Sequence, residues 1–341
     1  MKRFPYNAAL FILAIIMLLA YFAAGLRIRP EEYGVCDTVR GGQRALWTAQ
    51  EDSGVGLSRE ADRLKTGFIG VEWSPLTTTL GSLEAKRTSA NPLWALRFID
   101  WFDELGMRKG DRVVIYSSAS FPAALFSAIA AAEARGLEIM FSVSLGSSTW
   151  GANREEFPWP LMEKTLREGG FIKARASFYT PGGERETGRE FTRETLALME
   201  RLSEESGIPL VMAETLDEII RYKSLRLTEF APKLLISIGG SNANLGDSPD
   251  AAEIPNGLLL PKKTASFVTG GGVIAEALRS GIPVVNVLGF RKLALEAGIP
   301  WDAGVFAGRG YRHRPGLFAS LFGLAAFCAV MVKYKRWTWG A

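Results

Sequence analysis

Five segments of the chain place hydroxyl, basic or glycine residues where they suit binding of an anion or attack on an acyl group. The first follows an apolar run and reads SPLTTTLGSLEAKRTSANP at 74–92. Hydroxyls combined with Lys and Arg are the groups that bind carboxylate or phosphate oxygens. The alternative interpretation is a solvated loop, which does not need this density of hydroxyls. The predicted binding residues are Thr78, Thr79, Ser82, Glu84 and Arg87.

The second segment carries the predicted nucleophile. It reads YSSASFPAA at 116–124, a strand–turn–helix pattern whose helix N-terminal amides attract anions or stabilise an oxyanion. Ser120 is the predicted nucleophile, with Lys86 as its base, a role that requires a depressed lysine pKa. The single histidine, His313, argues against a Ser-His-Asp triad. The alternative is that Ser120 only caps the helix, with Pro122 in its first turn.

The third segment follows another predicted strand and reads SVSLGSSTWGAN at 142–153. Its glycines let the backbone turn, and its side chains offer hydrogen bonds and one aromatic face. The tryptophan either stacks on a ligand or fills the space beneath the loop. The predicted binding residues are Ser147, Ser148, Trp150 and Asn153.

Two glycine-rich turns complete the set, SIGGSNANLGD at 237–247 and TGGGVIAEAL at 269–278. Successive glycines after a strand form an amide nest for an anion. Neither is a Walker P-loop, and the second resembles a dinucleotide fingerprint only loosely. Tight βα turns without a ligand are the alternative. The predicted binding residues are Gly239, Gly240, Ser241, Asn242, Asn244 and Gly271.

One acidic residue, Glu72, falls inside an otherwise apolar predicted strand. A buried carboxylate needs a partner, and Lys86 and Arg87 are the predicted candidates. The remaining acidic residues are scattered. No spacing indicates a carboxylate pair, so neither a metal site nor a cofactor is predicted.

Apolar runs alternate with amphipathic stretches along the body of the chain. The predicted strands are 67–73, 112–116, 137–144, 208–213, 234–240 and 282–289, and the predicted helices are 91–105, 121–135, 190–206 and 272–280. This alternation indicates an α/β fold with Rossmann-like parallel sheet layers. Ligands bind at the carboxyl ends of such strands. We therefore expect the loops around Thr79, Ser120, Ser148 and Ser241 to converge on one anion-receiving cleft.

Charge is distributed unevenly over the 341 residues, whose formal net charge is +4. Of the 40 basic residues, five lie before residue 27 or after residue 314, which leaves 35 basic against 36 acidic residues between them. The basicity therefore belongs to the ends, which indicates membrane flanks and argues against binding of nucleic acid.

Two uncharged runs, 8–26 and 315–332, have the length of a bilayer-spanning helix. Basic residues flank both, and aromatic residues join them after the second. The sequence thus predicts transmembrane helices at both ends of the α/β body, hence a two-pass protein of the cell membrane whose body lies outside the cytoplasm. A cleaved signal peptide and a buried C-terminal helix are the alternatives.

This pattern predicts five consecutive regions. They are an N-terminal transmembrane anchor at 1–29, a juxtamembrane segment at 30–66, a first α/β half at 67–185, a second α/β half at 186–314, and a C-terminal transmembrane helix with a basic tail at 315–341.

Several of these strings together resemble the poly-gamma-glutamate system protein family. They are GVEWSPLTTTLGSLEAKRTSANP, SSASFPAALFSAIAAAEARGLE, SVSLGSSTWGAN and IGGSNANLG, and the resemblance extends from about 67 to 302. It implies an accessory component of the membrane machinery that makes or exports poly-γ-glutamate. The implied partners are the polymer and the synthase subunits. Ser118-Ala119-Ser120 stands where that family is expected to have a glycine.

Three functions follow from these observations. The first is an accessory protein of capsule biosynthesis that binds the anionic polymer or the synthase complex. The second is a Ser/Lys-dependent amidohydrolase or transferase acting on γ-glutamyl bonds, with Ser120 and Lys86 as its catalytic residues. The third is a phosphate- or nucleotide-binding module that uses the glycine turns.

Overall fold

The computed structural model of the chain describes residues 26–27, 30–264, 271–303, 311–312, 322–323 and 325–326. These residues form an α/β fold around a mixed six-stranded sheet. The strands are β1 Leu26–Arg27, β2 Thr77–Thr79, β3 Arg112–Ser118, β4 Glu138–Ser144, β5 Ser147–Ser148, β6 Phe178–Thr180, β7 Leu234–Ile238, β8 Gly257–Leu259, β9 Val284–Val287 and β10 Tyr311–Arg312.

Eleven α-helices surround these strands within the described ranges. They are α1 Pro30–Asp52, α2 Leu83–Ser89, α3 Leu93–Glu104, α4 Pro122–Ala134, α5 Trp159–Glu168, α6 Arg193–Ser206, α7 Leu216–Phe230, α8 Asn242–Leu245, α9 Pro261–Thr264, α10 Val273–Arg279 and α11 Phe290–Ala297. Two short 3-10 helices lie at Glu184–Glu186 and Pro249–Glu253.

The six-stranded sheet has the order β6-β4-β3-β7-β9-β8. Its strands pair in parallel except β8, which runs antiparallel to β9 at the edge. The predicted parallel sheet is therefore corrected to a mixed one. Asn286 of β9 stabilises this edge, since its Nδ2 donates to the Pro255 carbonyl at 3.1 Å in the segment leading into β8.

Continuous apolar runs form the central strands because both of their faces are covered. The strands predicted at 112–116, 137–144, 234–240 and 282–289 match β3, β4, β7 and β9. The four predicted helices likewise match α3, α4, α6 and α10.

Two predicted strands are wrong. The segment 67–73 forms a loop. The Val71 N–H donates to the Asn153 side chain, and the Val71 carbonyl accepts from the Asn153 side chain and from the Trp150 N–H. In the segment 208–213, only Leu210 forms a bridge, which is parallel and pairs it with Tyr179 of β6.

Apolar clusters cover both faces of the sheet. One includes α3 and α4, and it also takes in Val35, Val39 and Leu46 of α1. The other includes α7 and α10. The segment 30–66, predicted as juxtamembrane, thus contains a helix that packs on the core.

Within the described residues, no helix combines the length and the apolar character needed to cross a bilayer. This finding contradicts the two predicted transmembrane helices and the two-pass membrane localisation that depended on them. The spans 8–26 and 315–332 lie outside the described residues except for Leu26, 322–323 and 325–326. Leu26 lies in a strand, because β1 pairs antiparallel with β10.

Candidate active site: a serine–lysine pair in the cleft between β3 and β7

The central sheet changes its direction of winding between β3 and β7. From β3 the chain winds through β4 to β6, and from β7 it winds the other way to β9. In open α/β sheets, ligands bind at such a point, outside the carboxyl ends of the strands. A cavity of about 380 Å³ lies there. Ser118, Ser144, Gly240 and Leu288, which end or follow four of the strands, all line it.

The structure brings together the loops that the sequence singled out. Residues of all four expected loops line the cavity, namely Thr78, Thr79, Ser120, Ser148, Gly240, Ser241 and Asn242. The remaining lining residues include Gly81 and Phe121, and the loop with Gly182, Gly183, Glu184, Glu186 and Glu190. The convergence is a property of the fold, whereas binding at these residues stays a prediction.

Lys86 lies beneath the cavity with its amine against two serines. The side chain is only 2% exposed. Its Nζ lies 2.6 Å from Ser148 Oγ and 2.5 Å from the Ser120 carbonyl oxygen, and it sits 3.9 Å from the centre of the Phe121 ring. No carboxylate among the described residues pairs with it.

Burial without a carboxylate partner lowers the pKa of Lys86 to about 7. Desolvation disfavours the charged ammonium, and no opposite charge compensates for it. About half of the amine is therefore neutral at pH 7. The charged amine donates to both the Ser120 carbonyl and Ser148 Oγ, whereas the neutral amine can keep the first bond and accept the Ser148 hydroxyl proton with its lone pair, as a general base does.

The serine at the amine is Ser148, not Ser120. The Ser120 hydroxyl instead accepts a hydrogen bond from the Ser148 main-chain N–H at 3.0 Å. Ser120 does not cap α4 either, because Phe121 is the N-cap residue and no side chain caps this helix. The sequence suggested two roles for Ser120, as nucleophile and as helix cap. In the structure its hydroxyl instead holds the main chain of Ser148 in place.

The pairing of β2 with β5 sets this geometry. Its parallel register places Thr79 beside Ser148, and α2, which carries Lys86, begins shortly after β2. The Ser82 hydroxyl caps α2 by accepting from the Ala85 N–H at 3.1 Å. Gly81 lies so close to the pair that a Cβ there would be 2.9 Å from Ser148 Oγ.

A buried ion pair forms the opposite wall of the cavity. Glu186 and Lys223 are both 1% exposed and lie in direct contact. The Glu186 carboxylate also accepts hydrogen bonds from the hydroxyls of Ser144, Thr180 and Ser241. Burial raises the pKa of Glu186, but the Lys223 ammonium and these hydroxyls outweigh it and hold the pKa below its ordinary value.

Several hydrogen-bond donors at the cavity have no protein acceptor. The Ser118 hydroxyl is buried and makes no hydrogen bond. The main-chain N–H groups of Ser120, Phe121, Gly240 and Ser241 also make none with the described residues. Because unpaired buried donors such as the Ser118 hydroxyl are rare, its place beside these free main-chain amides indicates space for an acceptor.

Other predicted binding residues serve the fold. Asn153 is fully buried and bonds to Val71 and Thr77, and the Ser147 hydroxyl donates to main-chain carbonyls. The Arg87 guanidinium donates to both carboxylate oxygens of Asp302. Asn244 bonds to main-chain and side-chain groups beneath the cavity.

The remaining predicted residues do not line the cavity. Glu72 is exposed in a loop, so the expected partnership with Lys86 and Arg87 is wrong. Ser82 and Glu84 are exposed and bond to one another at 2.6 Å. The main chain of Trp150 forms hydrogen bonds with the main chain of residues 70–71. Gly271 borders a separate cavity beside Asp217. The described part of the second glycine turn, from Gly271 onward, is not among the residues that line this cleft.

The sequence missed Ser118, Phe121, Glu186 and Lys223. No local pattern marks the ion pair, since its members lie 37 positions apart on a loop and a helix. Ser118 lies within the segment 116–124 that the sequence singled out. The sequence does not show that its hydroxyl lacks a hydrogen-bond partner, because this depends on how the strands pair. Comparison with family models, curated proteins and solved structures found no match to this chain.

Proposed function

We propose that this protein is a serine–lysine hydrolase or acyltransferase, with Ser148 as nucleophile and Lys86 as general base. The observation that carries the proposal is the 2.6 Å approach of the buried Lys86 amine to Ser148 Oγ beneath the cavity. A serine hydroxyl is a weak nucleophile until a nearby base takes its proton. Lys86 is available as that base because its pKa of about 7 leaves about half of the amine neutral at pH 7 and most of it neutral at higher pH.

In the first step, Ser148 Oγ attacks the carbonyl carbon of an amide while its proton passes to Lys86 Nζ. The carbonyl oxygen becomes an oxyanion. The Ser120 and Phe121 N–H groups, which line the same cavity as Ser148 and have no acceptor among the described residues, are candidates to stabilise it. The C–N bond then breaks, and the leaving amine takes the proton from the Lys86 ammonium.

In the second step, an acceptor releases the acyl group from Ser148. Water, deprotonated by the neutral Lys86, gives a free carboxylic acid, and an amine in place of water gives a transferred amide. The proton returns from Lys86 to Ser148 Oγ as the ester bond breaks. The enzyme is thereby restored, and neither route requires a metal or a redox cofactor.

The resemblance to the poly-gamma-glutamate system protein family supports γ-glutamyl amides as the substrate class. The hydroxyls and free amides of the cavity suit such a group, since they can bind its carbonyl and carboxylate oxygens. Binding of the polymer or of its synthase without chemistry is the rival account. The same cavity would then hold the chain without cutting it.

Turnover of a γ-glutamyl anilide by the purified protein tests this proposal. We expect release of the aniline by the wild type and a loss of roughly 10³-fold or more on Ser148→Ala, in the range seen when a nucleophile is removed. Lys86→Met should lose a comparable factor because no base remains.

The matched control is Ser53→Ala, which removes an exposed hydroxyl far from the cavity. It should leave turnover unchanged. Equal activity in the wild type and in Ser148→Ala would overturn the proposal. Saturable binding of poly-γ-glutamate with no release of product would favour the rival account.

A further inference from the structure

We infer that the cavity holds a carboxylate-binding subsite, formed by the Ser118 hydroxyl and the Gly240 and Ser241 amides, that selects acyl donors carrying a free carboxylate. The inference rests on the proposed function and deepens it, because it assigns the substrate class from groups other than the serine–lysine pair. Nothing in the proposed chemistry uses these three donors.

Ser118 supplies the first observation. It ends β3, lines the cavity and is 6% exposed, yet its hydroxyl makes no hydrogen bond. A buried hydroxyl without an acceptor costs free energy. Since the group faces a cavity of ligand size, an acceptor brought by a ligand removes that cost.

The turn after β7 supplies the second observation. Gly240 and Ser241 line the cavity, and their N–H groups have no acceptor among the described residues. Gly239 precedes them with a φ of +87°, and a Cβ there would lie 2.2 Å from Ser118 Oγ. Glycine at 239 therefore brings this turn against Ser118, which groups the three donors between β3 and β7.

The charges around the cavity favour one carboxylate over a phosphate or a polyanion. Lys223 neutralises Glu186, so the buried wall carries no net charge. Glu184 and Glu190 are exposed at the rim of the cavity and disfavour further negative charge. A single carboxylate that is held by neutral donors on the β3–β7 side fits this distribution, with any ammonium of the same ligand toward the acidic rim.

Three anilide substrates test the inference. γ-Glutamyl anilide carries an ammonium and a carboxylate, glutaryl anilide only the carboxylate, and 4-aminobutyryl anilide only the ammonium. We expect the first two to have a lower KM than the third by roughly 10- to 100-fold, the range for hydrogen bonds to a charged group. Ser118→Ala should raise KM for the first two and leave the third unchanged.

An equal effect of Ser118→Ala on all three substrates would overturn the inference, because it would show a structural role. Labelling with a fluorophosphonate, which needs no carboxylate, separates the two proposals. Labelled Ser148 without carboxylate preference rejects the subsite alone, and an unlabelled Ser148 rejects the nucleophile.

Titration with glutaramate, which carries one carboxylate and one amide, keeps the subsite testable if no anilide is cleaved. Binding to the wild type that weakens about tenfold or more in Ser118→Ala supports the subsite. Failure of glutaramate to bind, or tighter binding of inorganic phosphate, rejects it.

Discussion

Lys86 shows how a single buried side chain acquires reactivity from its surroundings. Its amine has lost water without gaining a carboxylate, and it lies between a carbonyl, a hydroxyl and an aromatic ring. Each of these neighbours tolerates a neutral amine. The surroundings that lower the pKa thus also leave a lone pair directed at Ser148.

The lowered pKa of Lys86 predicts a dependence of stability on pH. Between about 7 and the ordinary value of 10.5, the unfolded chain binds a proton at this residue that the folded chain does not. Stability therefore rises with pH through that window and is flat, as far as Lys86 is concerned, below it. Each unit of pKa depression corresponds to about 1.4 kcal/mol.

Urea unfolding of the wild type and Lys86→Met checks this dependence. The free energy of unfolding of the wild type relative to the variant should increase from pH 7 to pH 10. A constant difference would mean that Lys86 keeps its ordinary pKa and is charged in the folded protein.

Gly81 predicts a second effect at the scale of one residue. An alanine Cβ there would lie 2.9 Å from Ser148 Oγ and 3.2 Å from Lys86 Cε. Gly81→Ala should displace the serine–lysine pair and reduce turnover roughly 100-fold, as misplacement of about 1 Å does. Gly34→Ala, where no atom lies within 4 Å, is the control and should leave turnover unchanged. Full activity in Gly81→Ala would contradict the assigned geometry.

At the scale of elements, the Glu186–Lys223 pair joins the loop after β6 to α7, β4 and the turn after β7. Lys223→Met leaves the Glu186 carboxylate buried without its cation, which costs about 3–5 kcal/mol in comparable cases. We expect a loss of that size in urea unfolding. Glu186→Gln combined with Lys223→Met should recover part of it.

The control on the same helix is Arg226→Met, which removes an exposed partner of Glu229. Exposed pairs contribute little, so the change should stay below about 1 kcal/mol. Equal effects of Lys223→Met and Arg226→Met would show that the buried pair does not hold these elements together.

The sequence predicted the central strands well because their apolar runs are covered on both faces. It also predicted that the loops after them meet. It could not choose Ser148 over Ser120, since that choice depends on the register of β2 against β5, which are three and two residues long. The segment 67–73 reads as a strand, but hydrogen bonds to Asn153 and Trp150 replace a sheet partner.

At the scale of the whole molecule, the two predicted halves lie side by side in one sheet. β6, β4 and β3 come from the first half and β7, β9 and β8 from the second, so the cavity between β3 and β7 is built from both halves. The terminal runs are predicted as transmembrane helices from their composition alone. Composition does not predict that Leu26 pairs with Arg312. The length of an apolar run shows only that the run is long enough to span a bilayer. It does not show whether a residue of the run pairs with a distant strand.

A shared sheet predicts one cooperative unfolding transition. Most tryptophans lie in the first half, as Trp94, Trp101 and Trp159 do, whereas helices occur in both. Tryptophan fluorescence and far-ultraviolet circular dichroism should therefore report the same urea midpoint. Separated midpoints would show that the halves unfold independently.

The most direct test of the central claim is the pH dependence of fluorophosphonate labelling, followed by intact mass and peptide mapping. Activation of Ser148 by neutral Lys86 predicts one adduct, on Ser148, formed at a rate that rises with pH through about 7 and then levels off. Lys86→Met should lose this labelling at every pH. An adduct on another residue, or an unchanged labelling rate in Lys86→Met, would contradict the account.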